Sequence, residues 1–356
     1  MKIITDLNKE AIELLKQLIA TPSLSGHEDG TASIIAQFLF THDIIAERKN
    51  NNVWVRNKYY STDKPTILLN SHHDTVKPNA GYSLDPYQAN IKDNKLYGLG
   101  SNDAGGALVS LLATFLYFYD KENLKYNFIF AGTAEEEISG SNGIECLLED
   151  LGPIEFAIVG EPTLMQMAVA EKGLLVLDAI AYGKSGHAAR EEGENAIYNA
   201  LKDIEWFRSF TFPKISKLLG PVKMTVTMIN AGIQHNVIPD YCKFTVDIRC
   251  TEMYTHDEVL SIIRSSISSE ITPRSMRLKP SNINESHPIV QAGITLGRTM
   301  YGSPTSSDQA LMPFPSLKMG PGDSARSHTA DEFIFINEIE EGIKLYIQIL
   351  EKIVLE

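Results

Sequence analysis

Apolar residues recur at helical spacing from residue 7 to 20, where Leu7, Ile12, Leu14, Leu15, Leu18 and Ile19 fall together before Thr21-Pro22 stops the pattern. A second helix is predicted over 28 to 42, with Ile34, Ile35, Phe38 and Leu39 inward. The pattern then changes to short apolar runs: Val53-Trp54-Val55, Ile67-Leu68-Leu69, Phe128-Ile129-Phe130 and Phe156-Ala157-Ile158-Val159. Short runs without polar alternation read as strands buried on both faces. Three of them end in reactive side chains. Residues 66 to 76 deliver His72, His73 and Asp74, the strand from Asn127 runs into Glu135, Glu136 and Glu137, and Phe156 to Gly160 leads to Glu161. Open α/β sheets place their chemistry at such strand ends.

Gly98 to Gly106 opens a further helix through Leu108, Leu111, Leu112 and Phe115, with Asp103 near its start as an N-cap or a ligand. From residue 174 the order becomes strand (174 to 181), helix (195 to 210), strands (223 to 230 and 242 to 250), helix (256 to 269) and Met276-Arg277-Leu278. That is the split βαβ, ferredoxin-like order. A helix over 289 to 301, a strand at Ser316 to Met319 and a helix over 337 to 353 then complete the first domain. At 356 residues the chain exceeds the size at which single cores split. The expected architecture is an α/β domain of residues 1–173 and 286–356, with a mixed central sheet flanked by helices, and an inserted α+β domain of residues 174–285.

Hydrophobic residues at 43% and charged residues at 22% are ordinary for a soluble globular protein. No apolar run is long enough to span a bilayer, and the opening Met1-Lys2-Ile3-Ile4-Thr5-Asp6 lacks the apolar core of a signal peptide. Cys146, Cys242 and Cys250 form no thiolate metal motif or disulfide framework, so a cytoplasmic protein with reduced cysteines is expected. The formal net charge of -13 argues against nucleic-acid or anionic-membrane partners, and bound cations would neutralise part of it.

Alternate side chains of a strand point to opposite faces, so His72 and Asp74 share a side and His73 points away. His72 is therefore the candidate ligand, with Asp74 placed to steady its ring. The three adjacent acids at 135 to 137 need solvation or a cation. Together, His72, Asp103, Glu136, Glu137, Glu161 and His328 make an imidazole and carboxylate set that suits zinc, and also cobalt or manganese.

These motifs, in this order, resemble the di-zinc aminoacylase and carboxypeptidase family that includes acetylornithine deacetylase, succinyl-diaminopimelate desuccinylase and carboxypeptidase G. The resemblance covers essentially the whole chain: His72-x-Asp74, Asp103 before Gly106, Glu136-Glu137, Gly160-Glu161-Pro162-Thr163, Gly186-His187, Asn236-Val237-Ile238-Pro239, Asp247-x-Arg249, and Gly320-Pro321-Gly322 before His328. It implies a zinc-peptidase-like catalytic domain binding two divalent ions, zinc first and cobalt second. His72, Asp103 and Glu161 would hold one ion, and Asp103, Glu137 and His328 the other. Glu136 would act as general base and acid, with Asp74 tuning the site. It further implies that His187 stabilises the oxyanion in a partner subunit's site, that Arg249, Asn236 and Gly322 meet substrate, and that the inserted domain is a lid and the seat of a homodimer.

The expected activity is hydrolysis of an N-acyl amino acid, first N-acetylornithine or an N-acyl-citrulline in arginine biosynthesis. Succinyl-diaminopimelate or N-acyl-lysine deacylation and dipeptide or carboxypeptide cleavage are the alternatives within the family, and a non-catalytic metal-binding protein is the alternative outside it. Arg326, Lys184 and Arg190 are candidates for reading a second carboxylate, or else surface charges. The chain departs from the family at Asp103-Ala104-Gly105-Gly106, where a lysine is usual, and at Glu135 and Ser139.

Overall fold

The computed structural model describes residues 4–355. The reading of the first residues as no signal peptide falls partly on Met1 to Ile3, outside the described residues. The chain forms two compact units. One runs to Val169 and resumes over Asn282–Tyr301 and from Ser307 onward, and the other comprises Ala170–Ser281 with Gly302–Ser306.

The first unit is built on a mixed sheet. Its central strand, Thr66–His72, lies parallel to Asn127–Thr133 on one side and to Phe156–Val159 on the other. Ser316–Lys318 continues the parallel run beyond Phe156–Val159, while Asn52–Arg56 and Glu47–Lys49 extend the opposite side antiparallel. Every residue of Thr66–His72 and Asn127–Thr133 is buried, which accounts for their unbroken apolar character. Gly106–Phe118, buried along its whole length, packs on this sheet. The register pairs His72 with Thr133, and Asn70 with Val159. The first two strands therefore end level and the third two residues short of them, bringing residues 72 to 74, 134 to 137 and 160 to 161 to one edge.

In the second unit, Gly173–Tyr182, Lys223–Ala231, Tyr241–Cys250 and Glu270–Pro273 form an antiparallel sheet, with Ala196–Ser209 and His256–Ser266 as its helices. The strand order, Lys223–Ala231, Tyr241–Cys250, Gly173–Tyr182, Glu270–Pro273, is that of a ferredoxin-like βαββαβ unit.

The inserted unit is Ala170–Ser281 with Gly302–Ser306 where 174 to 285 is expected, and two elements depart most from the sequence reading. The last strand of the second unit is Glu270–Pro273, not 276 to 278. The buried Asp203 carboxylate accepts the N–H groups of Ser268 at 3.2 Å and Ser269 at 2.8 Å, which ends the preceding helix early. The helix predicted over 289 to 301 is Pro288–Thr295, stopped by Gly297 in the left-handed region at φ +75°, and Met300–Ser303 is a strand. Among the described residues, no helix is long and apolar enough to cross a membrane.

Candidate active site

His72 ends the central strand with its ring fully buried. Its Nδ1 lies 3.0 Å from the Asp74 carbonyl oxygen and 3.4 Å from the Asp74 carboxylate. A carbonyl only accepts, so Nδ1 carries the hydrogen and Nε2 faces the site. Asp74 itself accepts the N–H groups of Glu136 and Glu137 and the hydroxyl of Ser25. His73 points the other way, as strand parity requires. Its Nε2 donates to the Asn51 carbonyl, and its Nδ1 meets the Thr31 hydroxyl, so it is a satisfied core histidine.

Asp103 is not an N-cap. The helix begins at Gly106, and Asp103 lies in the irregular turn before it at φ -118°, ψ 98°. Its two oxygens go to different partners, Oδ1 standing 3.4 Å from His72 Nε2 and Oδ2 3.6 Å from His328 Nε2. Around His72 Nε2 lie also Glu161 at 3.7 Å and Glu136 at 4.0 Å, while His328 Nε2 lies 3.0 Å from Glu137.

These residues fit divalent ions. His72 Nε2 is buried and makes no hydrogen bond. Nitrogen and oxygen donors each about 2.1 Å from a tetrahedral ion stand roughly 3.4 Å apart, close to the spacings here. Ligand atoms of His72, Asp103 and Glu137, and those of His72, Glu136 and Glu161, lie within 4.8 Å of one another. Burial pushes Glu136 well above the carboxylate range, and raises Glu161 to about 8 against the pull of His72. Burial alone would depress His72, but Asp103 and Asp74 beside it raise it well above the histidine range. Such a cluster takes up protons when no cation balances it.

Three neighbours have no signature in the sequence. Asp308, buried, accepts the Thr133 hydroxyl at 2.7 Å and is raised by burial to about 6. Lys318 is buried in the strand Ser316–Lys318, and its charge lowers the Glu161 carboxyl. Glu332 accepts backbone N–H groups of the turn carrying Asp103. Gly322 stands in the left-handed region at φ +92°, and a Cβ there would meet Asn102 Oδ1 at 2.5 Å. That position is fixed by the shape of the loop.

In the second unit the Gly186-His187 and Asn236-Val237 motifs form one small ladder, with His187 opposite Val237. His187 Nδ1 accepts the Ala189 N–H at 3.1 Å, which leaves the ring hydrogen on Nε2. Arg249 is held two-pronged by Asp247, through Nε at 2.8 Å and Nη2 at 3.1 Å, which explains the Asp-x-Arg spacing. Arg249 lines a groove of about 400 Å³ with Lys172, Lys223, Thr225 and Thr227.

A mixed α/β sheet with an acid and imidazole cluster at its strand ends defines a hydrolase of the metallopeptidase type. The model of peptidase family M20/M25/M40 matches residues 68–352, and the chain belongs to that family, as a metal-dependent amidohydrolase. Among its relatives, acetylornithine deacetylase of Proteus mirabilis is 27% identical over 96% of each chain. Succinyl-diaminopimelate desuccinylase of Wolbachia pipientis is 27% identical over 73% of this chain and 69% of its own. The fold matches aminopeptidase PepT from Bacillus cereus with a TM-score of 0.78 at 17% identity, covering 97% of this chain and 98% of that one. It also matches a dinuclear metal-binding peptidase from Bacillus subtilis with a TM-score of 0.75 at 16% identity, over 97% and 98% of the two chains.

Proposed function

We propose that the protein hydrolyses the amide bond of N-acyl amino acids using two divalent ions, with N-acetylornithine its first substrate and arginine biosynthesis the setting. The observation that carries this choice is the extent of the match to the acetylornithine deacetylase, 96% of both chains, against 73% and 69% for the Wolbachia desuccinylase. His72, Asp103 and Glu161 would hold one ion, and Asp103, Glu137 and His328 the other, with zinc preferred and cobalt as a substitute. Bound ions supply Lewis acidity toward the amide carbonyl and lower the pKa of water. Glu136 removes a proton from the attacking water and returns it to the leaving amine nitrogen. Arg249 and Asn236 bind the α-carboxylate, and His187, through its Nε2 hydrogen, stabilises the oxyanion in a partner subunit's site.

The second unit serves as lid and dimer interface in this reading. Lys223–Ala231 is an edge strand of its sheet, with Met228 and Ile229 exposed, features suited to pairing with a second copy.

One observation favours a second reading. Lys172 and Lys223 add positive charge beside Arg249, whose own charge Asp247 balances. Such a groove suits a substrate with a further carboxylate, such as an N-succinyl amino acid. Initial rates of zinc-loaded and chelated protein on N-acetyl and N-succinyl forms of ornithine, citrulline, lysine and diaminopimelate separate the readings. A metal-dependent preference for N-acetylornithine supports the first, and a preference for a succinyl substrate supports the second. Cleavage of dipeptides alone removes both.

A further inference from the structure

Four backbone N–H groups of the turn that carries Asp103 end on one residue. The Glu332 carboxylate accepts from Gly100 at 3.0 Å, Asn102 at 2.8 Å and Asp103 at 2.9 Å, and its carbonyl oxygen accepts from Gly98 at 3.0 Å. Within this turn the Asp103 backbone leaves the helical region, at φ -118°, ψ 98°, so regular helix geometry does not set its direction. Glu332 is buried at 2% exposure and stands four residues after His328 on the same segment. A second clamp joins the same two stretches: Asn102 Nδ2 donates to the Asp323 carbonyl, and Asn102 Oδ1 accepts the Asp323 N–H, each at 3.0 Å. His328 thus lies between two points at which its segment is tied to the Asp103 turn.

We propose that Glu332 is a positioning residue that aims the Asp103 carboxylate, one oxygen toward His72 and the other toward His328, and thereby sets the affinity for the divalent ions the site would hold. This rests on the reading of Asp103 as the shared ligand. A buried carboxylate is costly to retain for capping a turn alone. Only a carboxylate offers two acceptor oxygens to this set of donors. A glutamine would accept through one oxygen and turn its NH₂ toward an N–H, losing the hold on Gly100 or on Asn102 and Asp103.

The test is chelator competition on the metal-free full chain, titrated with zinc and read without substrate, for the wild type and Glu332→Gln. The expected result is two ions bound at saturation in both, with at least one weakened roughly 10- to 100-fold in the variant. Affinities within about twofold of the wild type would overturn the proposal, even if the variant melts earlier, because that pattern is turn capping without positioning. Should Glu332→Gln not fold, Glu332→Asp, which keeps the charge but withdraws it by one methylene, is read by the same criterion. A wild type that binds no zinc would remove the metal reading, and this proposal with it, whatever its substrate.

Discussion

The carboxylate of Asp74 accepts the backbone N–H of Glu136 at 3.0 Å, across from the end of the neighbouring parallel strand. It accepts that of Glu137 at 3.1 Å as well, while the His72 ring leans on the same residue. The Asp74 side chain therefore fixes both acids relative to one another, and its backbone carbonyl holds the imidazole beside them. Asp74→Asn keeps the size but replaces one acceptor oxygen by a donor facing an N–H. It should lower kcat by about 100-fold and weaken zinc by roughly 10- to 100-fold. Steady-state kinetics at saturating zinc, beside metal titration, check both parts; unchanged values in both would leave Asp74 as scaffold.

Glu136 stands 4.0 Å from His72 Nε2, in one cluster with the ligand atoms of His72 and Glu161, so its proposed role as proton carrier rather than ligand is tested by substitution. Glu136→Gln should retain two ions and lose roughly 100- to 10,000-fold in kcat. Metal analysis of the purified variant decides the matter. Loss of an ion together with activity would make Glu136 a ligand instead.

Much of this site is legible in the sequence, because three parallel strands with apolar interiors must end in something, and here they end in His72, Glu136 and Glu161. Strand parity assigns His72 inward and His73 outward, as the structure has them. Asp308 and Glu332 have no comparable signal. Asp308 opens a short helical turn and Glu332 follows Asp331 in a loop, and the partners of each lie far away in sequence, Thr133 for one and Gly100 to Asp103 for the other. The hairpin of Asn90–Lys92 and Lys95–Tyr97 was open to a closer reading, since Asp93-Asn94, both left-handed, is a tight-turn pair. The early end of the helix before Glu270 was not, because it depends on Asp203, more than sixty residues away.

Arg326, a sequence candidate for reading a second carboxylate, is already engaged. Its Nη1 and Nη2 meet Glu338 at 2.9 and 2.6 Å, and Nη1 also reaches the Phe333 carbonyl. Both side chains are largely buried, so removing the guanidinium strands the Glu338 charge at a cost of about 3 kcal/mol. Arg326→Ala should therefore unfold at lower urea while its ratio of acetyl to succinyl hydrolysis stays that of the wild type. A changed ratio at unchanged stability would restore the specificity role.

His73 ties stability to pH. Burial lowers its pKa from 6.5 to about 4, against the opposing pull of Asp74. In the unfolded chain it titrates near 6.5, so above that pH both states are neutral and its contribution to stability is fully present. As pH falls from 6.5 toward 4, the unfolded state takes up a proton that the native state refuses. Stability then drops by about 1.4 kcal/mol per unit, or about 3 kcal/mol over the window. Other acids titrate in the same range, so the comparison must be with His73→Asn, in the metal-free protein. Urea unfolding at pH 7.5, 6 and 4.5 should show the wild-type advantage shrinking steadily toward acid. An offset that is constant across these pH values would mean that His73 titrates alike in both states, and that burial does not hold it neutral.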